Sequence, residues 1–390
     1  MQIGFIDFSK EERNRVLSTL KLLGDQSALD ELGIGTVRDA YADILFPGIS
    51  TLQTRAKYFV LIPYLFAKGT QLAENGKLHS GREFLQWLHQ TEDHLVPVLL
   101  KNSPDESGII GSVAYRQRRS VKIKPSSIYW SGLRSFGILR SDRLSMGAAC
   151  TAAVQYAKRK HQAELKLDGE SYDDASAMNT GDALFLPIHS TEDLDQELSI
   201  RLTKTEAEFL TDCISRSPWT RGSLLDFLIR NKMRCENFFD LPEQILPDDL
   251  RRDYQLAAAF SRFIYGAHVR YNVIFSQYSD DAMEAEFYAW RNAFLSQTFA
   301  LDPILNRVPC PPDFAGFCRS FLDSVNRGDF QAMDQLIIRR EKQIKGDRAK
   351  LCKPEEFRYD PAHPIHAYTL DFRYGRASVI IQDILDGLEG

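Results

Sequence analysis

Pro247–Gln277, PDDLRRDYQLAAAFSRFIYGAHVRYNVIFSQ, decides the fold class. Leu250, Tyr254, Leu256, Phe260, Phe263 and Ile264 supply the apolar positions of a long amphipathic helix, with Arg251, Arg252 and Asp253 among the polar ones. Upstream, Leu224–Asn231 reads as a helix. So does the stretch opened by Thr203 and Glu206, whose capping-box spacing precedes Ala207, Phe209, Leu210 and Ile214. Downstream, Asp280–Gln297, Phe314–Asn326 and Asp329–Lys345 repeat the pattern. Arg373–Leu388 closes the chain with Ala377, Ile380, Ile381, Ile384 and Leu385 on one face. The N-terminal half continues in the same grammar over Lys10–Leu23, Ser27–Leu32, Thr36–Leu45 and Ser50–Phe66. Gly33, Gly35 and Pro47-Gly48 act as breaks there, and Ser50 is an N-cap. Arg82–Leu88 and Ser107–Arg116 read as shorter helices around a Pro104-Asp105 turn, and Ile3–Phe8 as a short strand or an N-terminal arm. No fixed period recurs. The expectation is a mainly α, multi-helical fold with a few short strands.

With 390 residues, 44% hydrophobic and 26% charged, the chain can bury a sizeable core and divides into two domains. The expected division is an N-terminal helical domain over residues 1–165, an acidic linker over 166–199 and a C-terminal helical domain over 200–390. Between His161 and Ile200 ten acidic residues face one lysine, Lys166, with Ser, Gly, Asn and Thr interleaved. Such a segment reads first as a solvated loop. A sharper reading is that it lies across a basic surface as a phosphate mimic. Met1-Gln-Ile-Gly-Phe-Ile-Asp has no basic n-region, and no apolar run reaches membrane-spanning length, so a cytoplasmic location and no membrane partner are expected. Six scattered cysteines lack the paired spacing of zinc ribbons and read as buried thiols. His89 with His94 shares no helix face well. His363 with His366 sits in a proline-broken turn, so no metal and no cofactor are expected.

The strongest functional signal lies between Tyr115 and Arg143. Arg116, Arg118, Arg119, Lys122, Lys124, Arg134, Arg140 and Arg143 face a single acidic residue, Asp142, in a chain whose net charge is -5. Any nucleic-acid contact must therefore be a patch and not the whole surface. Tyr129 and Trp130 join those cations as candidate nucleic-acid-binding residues, with Arg116 to Lys124 on phosphates and Tyr129, Trp130 and Arg134 on bases or sugars. Ile128–Phe136, followed by Gly137 and Ile138-Leu139, has the local grammar of a winged helix's recognition helix entering its wing. The plain alternative is a capped core helix with Trp130, Leu133 and Phe136 inward. Two further basic stretches could extend the patch. One runs from Arg339 to Lys353, and the other is Arg55 with Lys57. No catalytic residue is assigned. The nearest approach to one is a metal-dependent nuclease built from Asp142, Glu164 and Lys166. Against it, Ala148–His161 reads as a helix and not a strand.

Four strings, Ile3-Gly-Phe-Ile-Asp-Phe-Ser9, Glu31-Leu-Gly-Ile-Gly-Thr-Val-Arg-Asp39, Leu45-Phe-Pro-Gly-Ile-Ser-Thr-Leu-Gln-Thr-Arg-Ala-Lys-Tyr58 and Ser127-Ile-Tyr-Trp-Ser-Gly-Leu133, resemble a bacterial family known as domain of unknown function number 6361. Arg340-Glu341, Lys345-Gly346, Arg348-Ala349 and Asp371-Phe-Arg-Tyr374 look like the same family. The resemblance transfers no catalytic residue. It implies a setting beside helicases and nucleases in bacterial defence islands. The expected function is thus a non-catalytic accessory subunit of an anti-phage system that binds nucleic acid, DNA first, and docks onto helicase or nuclease partners. The alternatives are the metal-dependent nuclease and a protein-protein scaffold without direct nucleic-acid contact.

Overall fold

The computed structural model describes residues 30–119, 121–167, 184–187 and 197–390, with the backbone alone over 161–167. Among these residues the protein is mainly helical, 64% helix in 14 α-helices with almost no strand. In chain order they are α1 (Gly35–Leu45), α2 (Tyr58–Glu74), α3 (Gly81–Asn102), α4 (Ser112–Arg116), α5 (Pro125–Ser135), α6 (Met146–Leu167) and α7 (Lys204–Arg216). Then follow α8 (Leu224–Arg230), α9 (Asp248–Phe275), α10 (Asp281–Leu295), α11 (Leu301–Arg307), α12 (Pro312–Arg327), α13 (Phe330–Lys345) and α14 (Tyr374–Glu389). The expected segments Ile3–Phe8 and Lys10–Leu23 lie outside the described residues, as does the first half of Ser27–Leu32.

Two compact units emerge. One holds the described residues up to Ala42 with Arg251–Phe372, and the other holds Asp43–Leu250 with Arg373–Gly390. In the second unit α2, α3 and α6 pack together, and the C-terminal α14 packs on α7 and α8. Thr203 opens α7 with the expected capping box. Its hydroxyl accepts from the Glu206 amide while the Glu206 carboxylate accepts from the Thr203 amide.

The expected Ser50–Phe66 helix begins only at Tyr58, because the preceding turn spends its polar groups elsewhere. Gln53 ties Gly48 and Ser50 together, donating from Nε2 to the Gly48 carbonyl and accepting the Ser50 amide. The Tyr129 hydroxyl accepts the amides of Thr54 and Arg55 and donates to the Arg55 carbonyl. Asp383, on α14, accepts the Ala56 amide at 2.7 Å and grips the Arg55 guanidinium at 2.8–3.0 Å. Lys57 places its ammonium 2.8 and 2.9 Å from the two Glu206 oxygens, with side chains only 1% and 2% exposed. These interactions hold residues 50–57 in an irregular path. Other boundaries differ for equally local reasons. α3 runs far past the expected Leu88, through Pro97, and is capped by Ser80, whose hydroxyl accepts from the Glu83 amide. The expected Ser107–Arg116 helix shrinks to α4 because Gly108 and Gly111 take positive φ.

The first unit is built on α9. Phe263 packs against Phe294, Phe299 and Phe321. Gly266 lets Trp290 lie flat on the helix, since a Cβ there would come 2.1 Å from the indole ring. Arg270 is buried between Asp334 and the rings of Tyr278, Phe287 and Phe330.

Removing one partner of a buried ion pair strands the other charge at a cost of about 3–5 kcal/mol. Lys57→Met should therefore lower the unfolding free energy in urea by about that amount. Lys57→Met/Glu206→Met should recover most of it, short of about 1 kcal/mol from the lost capping box. Equal loss in the single and double variants would show that the pair is not what this region depends on.

Candidate nucleic-acid interface

α4 ends at Arg116, and Arg118 then takes a left-handed backbone with φ 53°. The turn closes through the Arg118 amide to the Tyr115 carbonyl and the Arg119 amide to the Ala114 carbonyl. This sharp reversal turns Arg116, Arg118, Arg119 and Lys122 out to solvent. None of the four pairs with a carboxylate among the described residues. Interleaved with them are three of the chain's exposed large apolar side chains, Val113, Tyr115 and Ile123, each at least half exposed. Val121 covers Gly111, where a Cβ would come 2.6 Å from its methyl. At the far end Lys124 turns back to Asp93 of α3 at 2.5 Å, so it anchors the loop and is not free for a phosphate.

The remaining predicted contacts fall into two groups. Tyr129 is fully buried, its hydroxyl consumed by residues 54 and 55, and Trp130 is 9% exposed with its indole N–H on the Leu144 carbonyl. Neither can stack on a base. Arg134 donates to the same Leu144 carbonyl. These three are corrected from nucleic-acid contacts to core and supporting residues. The α5 helix is the inward-facing, capped helix. Its Gly132 meets the Gly48 carbonyl, where a Cβ would stand 2.6 Å away. Gly137 at φ 69° closes its end, with the Ile138 amide bonded to the Leu133 carbonyl. No strand pair follows it among the described residues. Leu139 makes a single antiparallel bridge to Phe185. Arg140 and Arg143 are exposed in the turn beyond.

The two other basic stretches are largely internal. Arg55 and Lys57 are the buried cations described above, and neither is a surface contact. Arg55 and Asp383 line a polar cleft of ≈ 690 Å³ together with Glu106, Arg201, Arg234 and Asp386. Each arginine of this cleft is already paired with a carboxylate. In the run from Arg339 to Lys353, Arg340 is buried, bonded to the Leu32 carbonyl and to Asp313 and lying over Phe314 and Phe317. Lys345 and Lys350 turn to Glu31. Arg339, Lys342 and Arg348 stay exposed, and Lys353 is half-buried and pairs with Glu356. Of the nuclease residues, Asp142 is exposed, and Glu164 and Lys166 lie on α6 with side chains outside the described set. Among the described residues no group of three or more His, Cys, Asp or Glu side chains is placed to hold a metal, and no helix is long and apolar enough to cross a membrane.

A family model described as a family of unknown function (DUF6361) matches residues 1–298, and the chain belongs to that family. The match takes in the strings quoted up to Leu133 and stops short of those at 340–349 and 371–374. No curated protein and no solved structure matches the chain.

The basic loop and α5 share one electrostatic support. Glu92 of α3 is buried and accepts both the amide and the hydroxyl of Ser126, at 2.6 and 3.1 Å. Burial pushes its carboxyl up to about 7, against the opposing pull of Ser126 and Lys124. A folded value above the ordinary 4.5 means that the stabilising proton is held below that pH and lost as pH rises to about 7. Wild type should accordingly lose up to roughly 3 kcal/mol relative to Glu92→Gln between pH 4.5 and 8. Parallel stability curves for the two proteins would contradict this reading of Glu92.

Proposed function

We propose that this protein binds nucleic acid through the surface formed by Val113, Tyr115, Arg116, Arg118, Arg119, Lys122 and Ile123. In this reading it is an accessory subunit beside larger helicase or nuclease partners in anti-phage defence. The observation that carries the binding reading is the exposure of four cations, none paired with a carboxylate among the described residues, around an exposed tyrosine. Guanidinium and ammonium groups neutralise phosphates whatever the sequence, and an accessible phenol ring supplies a stacking face for a base or sugar. Arg140 and Arg143 are exposed candidates for additional phosphate contact. The defence setting rests on the family resemblance alone.

Fluorescent single- and double-stranded oligonucleotides titrated across a salt series test the binding reading. Wild type should show a steep fall of affinity with salt. The Arg116→Gln/Arg118→Gln/Arg119→Gln/Lys122→Gln variant should flatten the slope by about 3.6 on a log–log plot for duplex DNA, as expected when four phosphate contacts are removed. Lys124→Gln, whose ammonium belongs to Asp93, should leave the slope nearly unchanged. Absence of binding at low salt would overturn the reading in favour of an acidic protein partner.

A further inference from the structure

In the unit built on α9, a carboxylate, an imidazole and a phenol are joined in a line. The Glu31 carboxylate lies 3.1 Å from Nε2 of His366, and Nδ1 of His366 lies 3.1 Å from the Tyr368 hydroxyl. Glu31 is buried, and its contacts with His366, Lys350 and Lys345 outweigh burial to hold its carboxyl down at about 2, so it is ionised at neutral pH. A carboxylate can only accept, so it fixes the proton of a neutral His366 on Nε2 and leaves the Nδ1 lone pair facing the phenol. Tyr368 donates to that lone pair and is itself 58% exposed. This is the arrangement of an activated nucleophile: an accessible hydroxyl, a base in contact with it, and a buried acid orienting the base.

The loop that carries the pair is held in place. Asn272 of α9 clamps Ile365 through both its amide and its carbonyl, and Ser261 accepts the Leu370 amide. His366 itself occupies a left-handed backbone position with φ 50°. Such conformations persist only where the surroundings impose them. His268 packs against His366 with the rings tilted and their centroids 5.4 Å apart, is fully buried, and has no hydrogen-bond partner on either nitrogen among the described residues. Burial and the neighbouring His366 hold it neutral, down to about 4. The charged groups facing the relay are Glu31, Lys345, Lys350, Asp30 and Arg38. The Arg38 guanidinium is held by Asp39 and feels the Tyr368 phenol. A cation within electrostatic reach of a nucleophilic oxygen suits an anionic electrophile.

From this we propose that Tyr368 is a catalytic nucleophile toward phosphodiesters, with His366 as general base and Glu31 as a positioning residue. The phenol oxygen attacks phosphorus, forming a phosphotyrosyl ester as the bond to one sugar oxygen breaks. The phenol proton passes to Nδ1 of His366 and is returned to the departing sugar oxygen. No electrons change hands and no further reactant is needed. Attack by a second hydroxyl on the phosphotyrosyl bond reverses the step. This goes beyond the binding reading, which asks no chemistry of the protein, and it rests on a different unit of the chain.

The test uses the full chain with two probes. The first is a nicked duplex labelled on the strand that would stay attached, so that the short departing strand is lost and the adduct accumulates. Wild type should give a protein–DNA band that survives boiling in detergent and maps to Tyr368 by mass spectrometry. Tyr368→Phe should give none, and His366→Asn should slow its formation about 100-fold. The second probe is a small sulfonyl fluoride, which labels phenols according to their nucleophilicity and needs no nucleic-acid binding. Tyr368 should label faster than the exposed Tyr115 and Tyr288, and His366→Asn should bring its rate down to theirs. Glu31→Gln should slow that labelling, and Glu31→Asp, which restores a carboxylate, should recover part of the rate. No adduct with wild type, an adduct that persists in Tyr368→Phe, or labelling of Tyr368 no faster than Tyr288 overturns the proposal.

Discussion

Burying a cation obliges the chain to bring an acid to it, and in this protein that obligation shapes each compact unit. Lys57 and Arg55 are two residues apart, and their partners Glu206 and Asp383 come from α7 and α14, far along the chain. Satisfying both keeps residues 50–57 out of a helix and joins α14 to the start of α2. In the other unit the same role falls to Arg270 with Asp334, Arg340 with Asp313, and Glu31 with Lys345 and Lys350. Such pairs add little net stability compared with apolar packing, yet they are expensive to break. They act more as constraints on which segments meet than as a source of stability.

That constraint explains what could and could not be read in advance. Helices coded by their own residues were legible: α7 with its Thr203 and Glu206 box, α13 within Asp329–Lys345, and α9 with its apolar face. The family resemblance was equally legible and holds over residues 1–298. The destination of a charge was not. Arg55, Lys57, Arg340 and Lys345 have the local composition of solvated helix surfaces, and only partners that the fold brings from other elements make them internal. Tyr129 and Trp130 failed for the related reason that an aromatic among arginines carries no mark of which side it faces. Their burial follows from Gly132 and Gly48 letting α5 sit close against the preceding turn. The line from Glu31 to Tyr368 was out of reach of spacing arguments, since its acid and its base are joined only by the fold.

Sorting the cations by burial leaves a smaller and better-defined surface than the sequence suggested. The exposed group around Tyr115 owes its form to local features: the left-handed Arg118, Val121 seated over Gly111, and Lys124 tied to Asp93. Glu92 fixes the start of α5 beside it. A rigid base under a charged loop is what a phosphate-tracking contact requires, because the loop then pays little ordering entropy on binding. The internal cations, in contrast, are already neutralised and would have to abandon buried partners to reach a ligand.

Hydrogen–deuterium exchange with and without saturating single-stranded oligonucleotide separates these two classes of cation in one experiment. The account predicts slowed exchange over residues 112–124 and no change at Arg55–Lys57 or across 339–353. Protection centred on 339–353, or none at 112–124 under conditions where the oligonucleotide is bound, would contradict it.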